Sequence, residues 1–136
     1  MFKSTATSRP AGVDAMTRAT ILLVDDDPAL GRTLSRALES SGYNVVIAET
    51  GAEAQAKTEE VAPDLILLDL ILPDTDGLVL AMSLNATTDA PIIICSARHD
   101  LVDRALGRRL GAADFIAKPF DLDALEVRIA RFLRPG

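Results

Sequence analysis

From residue 20 onward, short apolar runs alternate with amphipathic stretches. Ile21-Leu22-Leu23-Val24 is apolar at every position and ends in Asp25-Asp26-Asp27-Pro28. A run of this kind, hydrophobic on both faces, predicts a central parallel strand. Beyond Pro28, Leu30, Leu34, Ala37 and Leu38 recur at helical spacing, with Arg32, Arg36 and Glu39 on the opposite face. Proline suits the first turn of that helix, and Ser41-Gly42 suits its stop. Asn44 to Ala48 predicts a second strand, and Ala52 to Glu60 a polar helix that ends before Pro63. Leu65 to Leu68 reads as a third buried strand ending in Asp69. A loop with Pro73, Asp74, Asp76 and Gly77 follows, then a helix from about Leu78 to Leu84. Pro91 to Cys95 predicts the fourth strand, Leu101 to Leu110 a helix stopped by Gly111, Asp114 to Ala117 a fifth strand, and Leu122 to Leu133 a last helix. Residues 1–19 carry Ser, Thr, Gly, Pro and Ala without periodicity and read as a disordered leader, leaving 20–134 as one domain.

Five strand–helix repeats with short connections imply an α/β fold, a parallel sheet covered on both faces through right-handed crossovers. A length of 136 residues supports one such domain with its own core. With no Trp, one Tyr and four Phe, that core must be aliphatic. The net charge of −6 opposes direct nucleic-acid binding by this domain, which needs clustered Lys and Arg. Cys95 is the one cysteine, so an intrachain disulfide is impossible, and within Ile92-Ile93-Ile94-Cys95 it reads as a small buried hydrophobe. As a nucleophile it would want a base, and His99 is the one histidine, with no third group to orient it. No apolar run approaches the roughly 20 residues needed to cross a bilayer, and the N-terminus has no apolar signal-peptide centre. A cytoplasmic protein without membrane contact is the expectation.

In a sheet of this kind ligands bind outside the carboxyl ends of the strands. The residues at those ends are Asp25, Asp26 and Asp27 after the first strand and Asp69 after the third. Ser96 follows the fourth and Lys118 the fifth. Clustered carboxylates repel one another unless a cation joins them, and hard oxygen ligands suit Mg²⁺. A lysine and a hydroxyl opposite them would stabilise phosphoryl oxygens, and a carboxylate can itself accept a phosphoryl group. Each residue alone has a plainer explanation. Asp27 before Pro28 reads as a helix cap, Asp69 could be a turn former, and Lys118 and Ser96 could be ordinary surface groups. Their arrival at a single edge favours the functional reading.

Four stretches carry a family resemblance: Ile21-Leu-Leu-Val-Asp-Asp-Asp-Pro28, Leu67-Leu-Asp-Leu-Ile-Leu-Pro-Asp-Thr-Asp-Gly77, Pro91-Ile-Ile-Ile-Cys-Ser-Ala-Arg98 and Gly111-Ala-Ala-Asp-Phe-Ile-Ala-Lys-Pro-Phe120. In order and spacing, from about Thr20 to Leu133, the chain resembles the response-regulator receiver domains of two-component signalling. The resemblance implies a doubly wound, flavodoxin-like sheet with strand order 2-1-3-4-5. It implies that Asp69 is the phosphoacceptor, served by a sensor histidine kinase or a phosphotransfer protein. It implies Mg²⁺ bound directly by Asp26, through water by Asp25, and by Asp69 and the backbone carbonyl of Ile71. Ser96 and Lys118 would each bond a phosphoryl oxygen, and the Lys118-Pro119 bond would be cis. Ser96 moving toward the phosphate would free space for Phe115, the aromatic switch position, and so couple the site to the face of the fourth helix, fifth strand and fifth helix. On this reading the chain is a signalling protein, not a turnover enzyme.

Several positions depart from the family pattern or vary within it. Ser96 stands where Thr is commoner. Ile71 and Arg98 occupy the positions two beyond the phosphoacceptor and two beyond the hydroxyl residue, where they are expected to alter water access and phosphate lifetime. Arg104 and Arg128 match basic residues through which one subfamily pairs receivers, but Ala113 and Ala124 replace its usual acidic partners. A phosphorylation-dependent dimer is therefore left open. So is the alternative that Arg104, Arg108, Arg109, Arg128, Arg131 and Arg134 form a solvated rim. An effector domain or partner protein reached through the output face is equally open. The competing function is an aspartate-nucleophile, Mg²⁺-dependent phosphohydrolase, for which Asp25-x-Asp27 offers the spacing while leaving Asp69 and Lys118-Pro119 unexplained. A flavin module of the same topology is disfavoured, because three carboxylates at its phosphate loop would repel the ligand.

Overall fold

The computed structural model describes residues 18–97 and 110–133. Its five strands are β1 (Thr20–Val24), β2 (Asn44–Ala48), β3 (Leu65–Leu68), β4 (Ile92–Ser96) and β5 (Asp114–Ala117). All pair in parallel, in the order β2-β1-β3-β4-β5. Helices α1 (Pro28–Ser40), α2 (Gly51–Val61) and α3 (Gly77–Thr87) follow the first three strands, and a C-terminal helix (Leu122–Ala130) follows β5. The doubly wound sheet and its order match the expectation. The helix expected over Leu101 to Leu110 and the leader up to residue 17 lie outside the described residues.

The period-two alternation of strand side chains divides the core into two layers. Leu22, Val24, Ile66, Leu68, Ile92 and Ile94 face α2 and α3, meeting Ala54, Leu80, Ala81 and Leu84. Ile21, Leu23, Leu65, Leu67, Ile93 and Cys95 face the other way, meeting Leu34 and Leu38 of α1 and Leu125 and Ile129 of the C-terminal helix. That is why β1, β3 and β4 read as unbroken apolar runs: both of their faces are covered.

Some element ends differ from the sequence reading. α3 runs on to Thr87 although the apolar pattern stops at Leu84, because the Thr87 hydroxyl and the Thr88 amide both donate to the Leu84 carbonyl. The C-terminal helix ends at Ala130 rather than Leu133. Its last residues close instead in turns, with Phe132 and Leu133 donating to Ile129, which leaves Leu133 packed on the core. Among the described residues no helix is long and apolar enough to cross a membrane.

Candidate functional site

Strand register builds the site. Val24 lies beside both Ala48 and Leu68, and Leu68 lies beside Ile94. The ladder then continues one step past the strands: the Asp25 amide donates to Ala48 at 3.0 Å, and the Asp69 amide to Val24 at 2.9 Å. Asp25 and Asp69 therefore leave the sheet side by side. At the other end of the row Ser96 pairs with Ala117, and the Lys118 amide donates to the Ser96 carbonyl at 2.9 Å. By alternation Asp25, Asp69 and Lys118 belong to the face of α1, whereas Ser96 shares the opposite face with Ile94 and Phe115.

The Lys118 ammonium bridges the two buried acids, donating to Asp25 Oδ2 at 2.6 Å and to Asp69 Oδ2 at 3.0 Å. Asp25 is 3 % exposed and Asp69 7 %. Their remaining oxygens are also held: the Asp27 amide donates to Asp25 Oδ1 at 2.9 Å, and the Ile71 amide to Asp69 Oδ1 at 3.0 Å. Burial is the largest single influence on the Lys118 ammonium and would lower its pKa. The hydrogen bonds and charges of Asp25 and Asp69 outweigh burial, and the net shift is upward.

Asp26, exposed at the rim, completes a cluster in which one carboxylate oxygen from each of Asp25, Asp26 and Asp69 lies within 4.8 Å of the others. Among the described residues this is the one such grouping of three or more potential metal donors. Three hard oxygen donors with an open rim fit Mg²⁺, which keeps waters and takes few protein ligands. Asp27 stands apart from this cluster. Its Oδ1 accepts from the amides of Ala29 at 3.0 Å and Leu30 at 3.3 Å, capping α1 as expected. The Asp-x-Asp pairing needed by a phosphohydrolase thus loses its second carboxylate to the helix.

The other predicted positions fall as follows. Ser96 is fully buried as the last residue of β4, one place earlier in the architecture than a loop hydroxyl. Phe115 is 9 % exposed in the layer beneath α3, beside Ile94 in register. Ile71 is 45 % exposed at the mouth of the site. The Lys118-Pro119 bond is cis, and beside it opens a cleft of about 330 Å³ lined by Leu30, Ala97, Lys118, Pro119 and Phe120. Cys95 is buried, and burial pushes its thiol up to about 12, so it cannot serve as a thiolate nucleophile. Arg128 is engaged within the domain, donating to Asp114 Oδ1 at 3.0 Å and to the Phe115 carbonyl at 2.9 Å. Arg131 lies 3.5 Å from the other oxygen of Asp114. Arg98, His99, Arg104, Arg108, Arg109 and Arg134 lie outside the described residues, while Ala113 and Ala124 are exposed.

Two groups at the site escaped the sequence reading. Asp74 reaches across from the loop after β3 to the first amides of α2, at 2.7 Å from Gly51 and 3.0 Å from Ala52. No local signal marks a contact spanning 23 residues. The Asp114–Arg128 clamp was also missed, although the two residues lie only 14 apart.

A doubly wound sheet with acids, a hydroxyl and a lysine gathered at its carboxyl edge defines a class of phosphate- and metal-handling α/β domains. The family profile of the response regulator receiver domain matches residues 21–130, and the chain belongs to that family. It is 41 % identical over 115 residues to the transcriptional regulatory protein TrcR of Mycobacterium tuberculosis, covering 84 % of this chain and 45 % of that protein. It is 38 % identical over 117 residues to the DNA-binding response regulator MtrA of Mycolicibacterium smegmatis, covering 86 % and 51 %. The chain spans about half the length of these curated relatives. Among solved structures, the non-phosphorylated HemR receiver domain from Leptospira biflexa superposes with a TM-score of 0.78 at 40 % identity, over 88 % of this chain and 99 % of that one.

Proposed function

We propose that this receiver domain stores a signal as a phosphoryl group on Asp69, taken from the phosphohistidine of a sensor kinase or phosphotransfer protein. The observation that carries the reading is the Lys118 ammonium, bonded at 2.6 and 3.0 Å to two buried carboxylates that a third joins within 4.8 Å. An Asp69 carboxylate oxygen would attack phosphorus as the P–N bond to the donor imidazole breaks. The new bond is an acyl phosphate, and the imidazole nitrogen leaves with the electron pair. Asp25, Asp26, Asp69 and the Ile71 carbonyl would hold Mg²⁺, which offsets the charge of carboxylates and phosphoryl oxygens brought together. Lys118, one hydrogen bond from Asp69, would pass to a phosphoryl oxygen. The cleft beside Lys118 and Pro119 gives a donor side chain room to approach.

Ser96 would bond another phosphoryl oxygen. Because Ser96 and Phe115 share one face of the sheet in adjacent strands, movement of the hydroxyl would change the packing around the ring. The phosphate thereby biases a side-chain arrangement away from the acids. The recipient of that change is an effector, of the DNA-binding kind that relatives such as MtrA represent by name. The test is exposure to a small phosphodonor with Mg²⁺, for wild type and Asp69→Ala, read by intact mass. One phosphoryl adduct on wild type and none on the variant is expected. An adduct that survives Asp69→Ala, or none on wild type, overturns the assignment.

A further inference from the structure

The loop joining β3 to α3 is anchored at both its base and its tip. At its base the Gly77 amide donates to the Leu70 carbonyl at 3.1 Å, and Ile71 forms a bridge with Asp76. A side chain at Gly77 would meet the Leu70 backbone at 2.2 Å, so the loop returns on itself as closely as glycine permits. At the acceptor, the Ile71 amide holds Asp69 Oδ1. At the tip, Asp74 Oδ1 and Oδ2 each take one amide, from Gly51 and Ala52 of α2. Thr75 packs flush on the same helix end, where a side chain on Gly51 would come within 2.5 Å of its methyl.

We propose that Asp74 is a positioning residue for phosphoryl transfer: fastened to the first two amides of α2, it holds the loop whose Ile71 amide fixes the Asp69 carboxylate. This rests on the reading of Asp69 as acceptor. The two amides hold the Asp74 carboxyl below the usual carboxylate range, so it is ionised and bonded at neutral pH. Capping α2 does not by itself account for the contact. The helix has its own cap in Thr50, whose hydroxyl accepts from the Glu53 amide at 3.1 Å, while Glu53 Oε1 accepts from the Glu49 amide at 2.9 Å. What Asp74 adds is a tether from the helix to a loop that begins at the acceptor.

Thr50→Ala supplies the control, because it weakens the α2 terminus without touching the loop. The full chain is compared as wild type, Asp74→Ala, Asp74→Asn and Thr50→Ala, at saturating Mg²⁺ with phosphoramidate as donor. Phosphate gain is followed by intact mass, and stability by thermal melting. Asp74→Ala is expected to slow phosphorylation by about tenfold, short of the roughly hundredfold that a full 1 Å displacement of a reacting group can cost. Thr50→Ala, with a comparable loss of melting temperature, should stay within about twofold of wild type. Asp74→Asn keeps an acceptor oxygen and should fall between the two; it carries the comparison if Asp74→Ala does not fold. Equal rates for the Asp74 variants and Thr50→Ala, whether both fast or both slow, overturn the proposal. A wild-type protein that gains no phosphate overturns the acceptor reading itself, and this inference with it.

Discussion

Replacing Lys118 with Met removes the ammonium between Asp25 and Asp69 while keeping a side chain of similar reach. The two carboxylates, 3 % and 7 % exposed, then face each other with oxygens no more than 4.8 Å apart. At an effective dielectric of about 20, two unit charges at that separation repel by roughly 3.5 kcal/mol. The gross attraction lost is larger, but most of it only offset the desolvation of the three groups. The Lys118 side chain is 19 % exposed, so solvent screens part of what remains. A net loss of about 2–3 kcal/mol in chelator follows, in line with breaking a partly buried ion pair. In urea unfolding this lowers the midpoint by about 1–2 M for a domain of this size. Adding Mg²⁺ should narrow the gap, because a divalent cation takes over the role of the ammonium and stabilises the folded state by mass action. The assay is therefore paired urea titrations at pH 7, with EDTA and with excess Mg²⁺. A variant as stable as wild type in EDTA, or a gap that Mg²⁺ leaves unchanged, would refute the account of Lys118 as an internal counter-ion. The raised Lys118 pKa sets the pH range of its contribution. Stability is fully present below the unfolded value of about 10.4 and is lost as pH climbs through the higher folded value, so neutral pH samples it in full.

Asp27→Ala removes the acceptor for the Ala29 and Leu30 amides and should cost about 1 kcal/mol of stability. Calorimetry should find its Mg²⁺ affinity unchanged; a marked weakening would make Asp27 a ligand instead of a cap. Burial pushes the Cys95 thiol up to about 12 in the fold, from an ordinary value of 9.0. Between those values the unfolded state gains, so Cys95→Ala should show a flatter fall of stability at alkaline pH, by about 4 kcal/mol over the whole window. Equal alkaline slopes would contradict the burial argument. Ile71→Asn, at the 45 % exposed mouth of the site, should shorten the aspartyl-phosphate half-life severalfold by admitting water; identical lifetimes would remove Ile71 from that role.

The strands were legible because burial on both faces leaves one signature, an unbroken apolar run, and β1, β3 and β4 carry it. Helix ends were less so. The sequence places apolar residues at Leu80, Ala81 and Leu84 of α3 but cannot show that two donors gather on the Leu84 carbonyl and extend the helix to Thr87. The apolar spacing that suggested a helix through Leu133 comes from a residue that reaches the core out of a turn. Hydrophobic period reports which residues are buried. It does not report whether the backbone between them is still helical.

The site divides along the same physical line. Asp25, Asp69 and Lys118 could be read from the chain because each directly follows a strand, and parallel register turns that position in sequence into proximity in space. Ser96 obeys the same rule with a shift of one residue, which places it inside β4 and, by alternation, on the face of Phe115 rather than on that of the acids. That shift bears on the proposed mechanism. Asp69 and the Lys118 ammonium share one face of the sheet, Ser96 and Phe115 share the other, and a phosphoryl group on Asp69 at the carboxyl edge would lie between the two sets. Asp74 and the Arg128 clamp obey no register. Each joins elements through a side chain whose partner is set by how a loop or helix packs, so neither could be foreseen. The contacts that tie loops and helices to the site were therefore harder to read than the strand-end residues that form it.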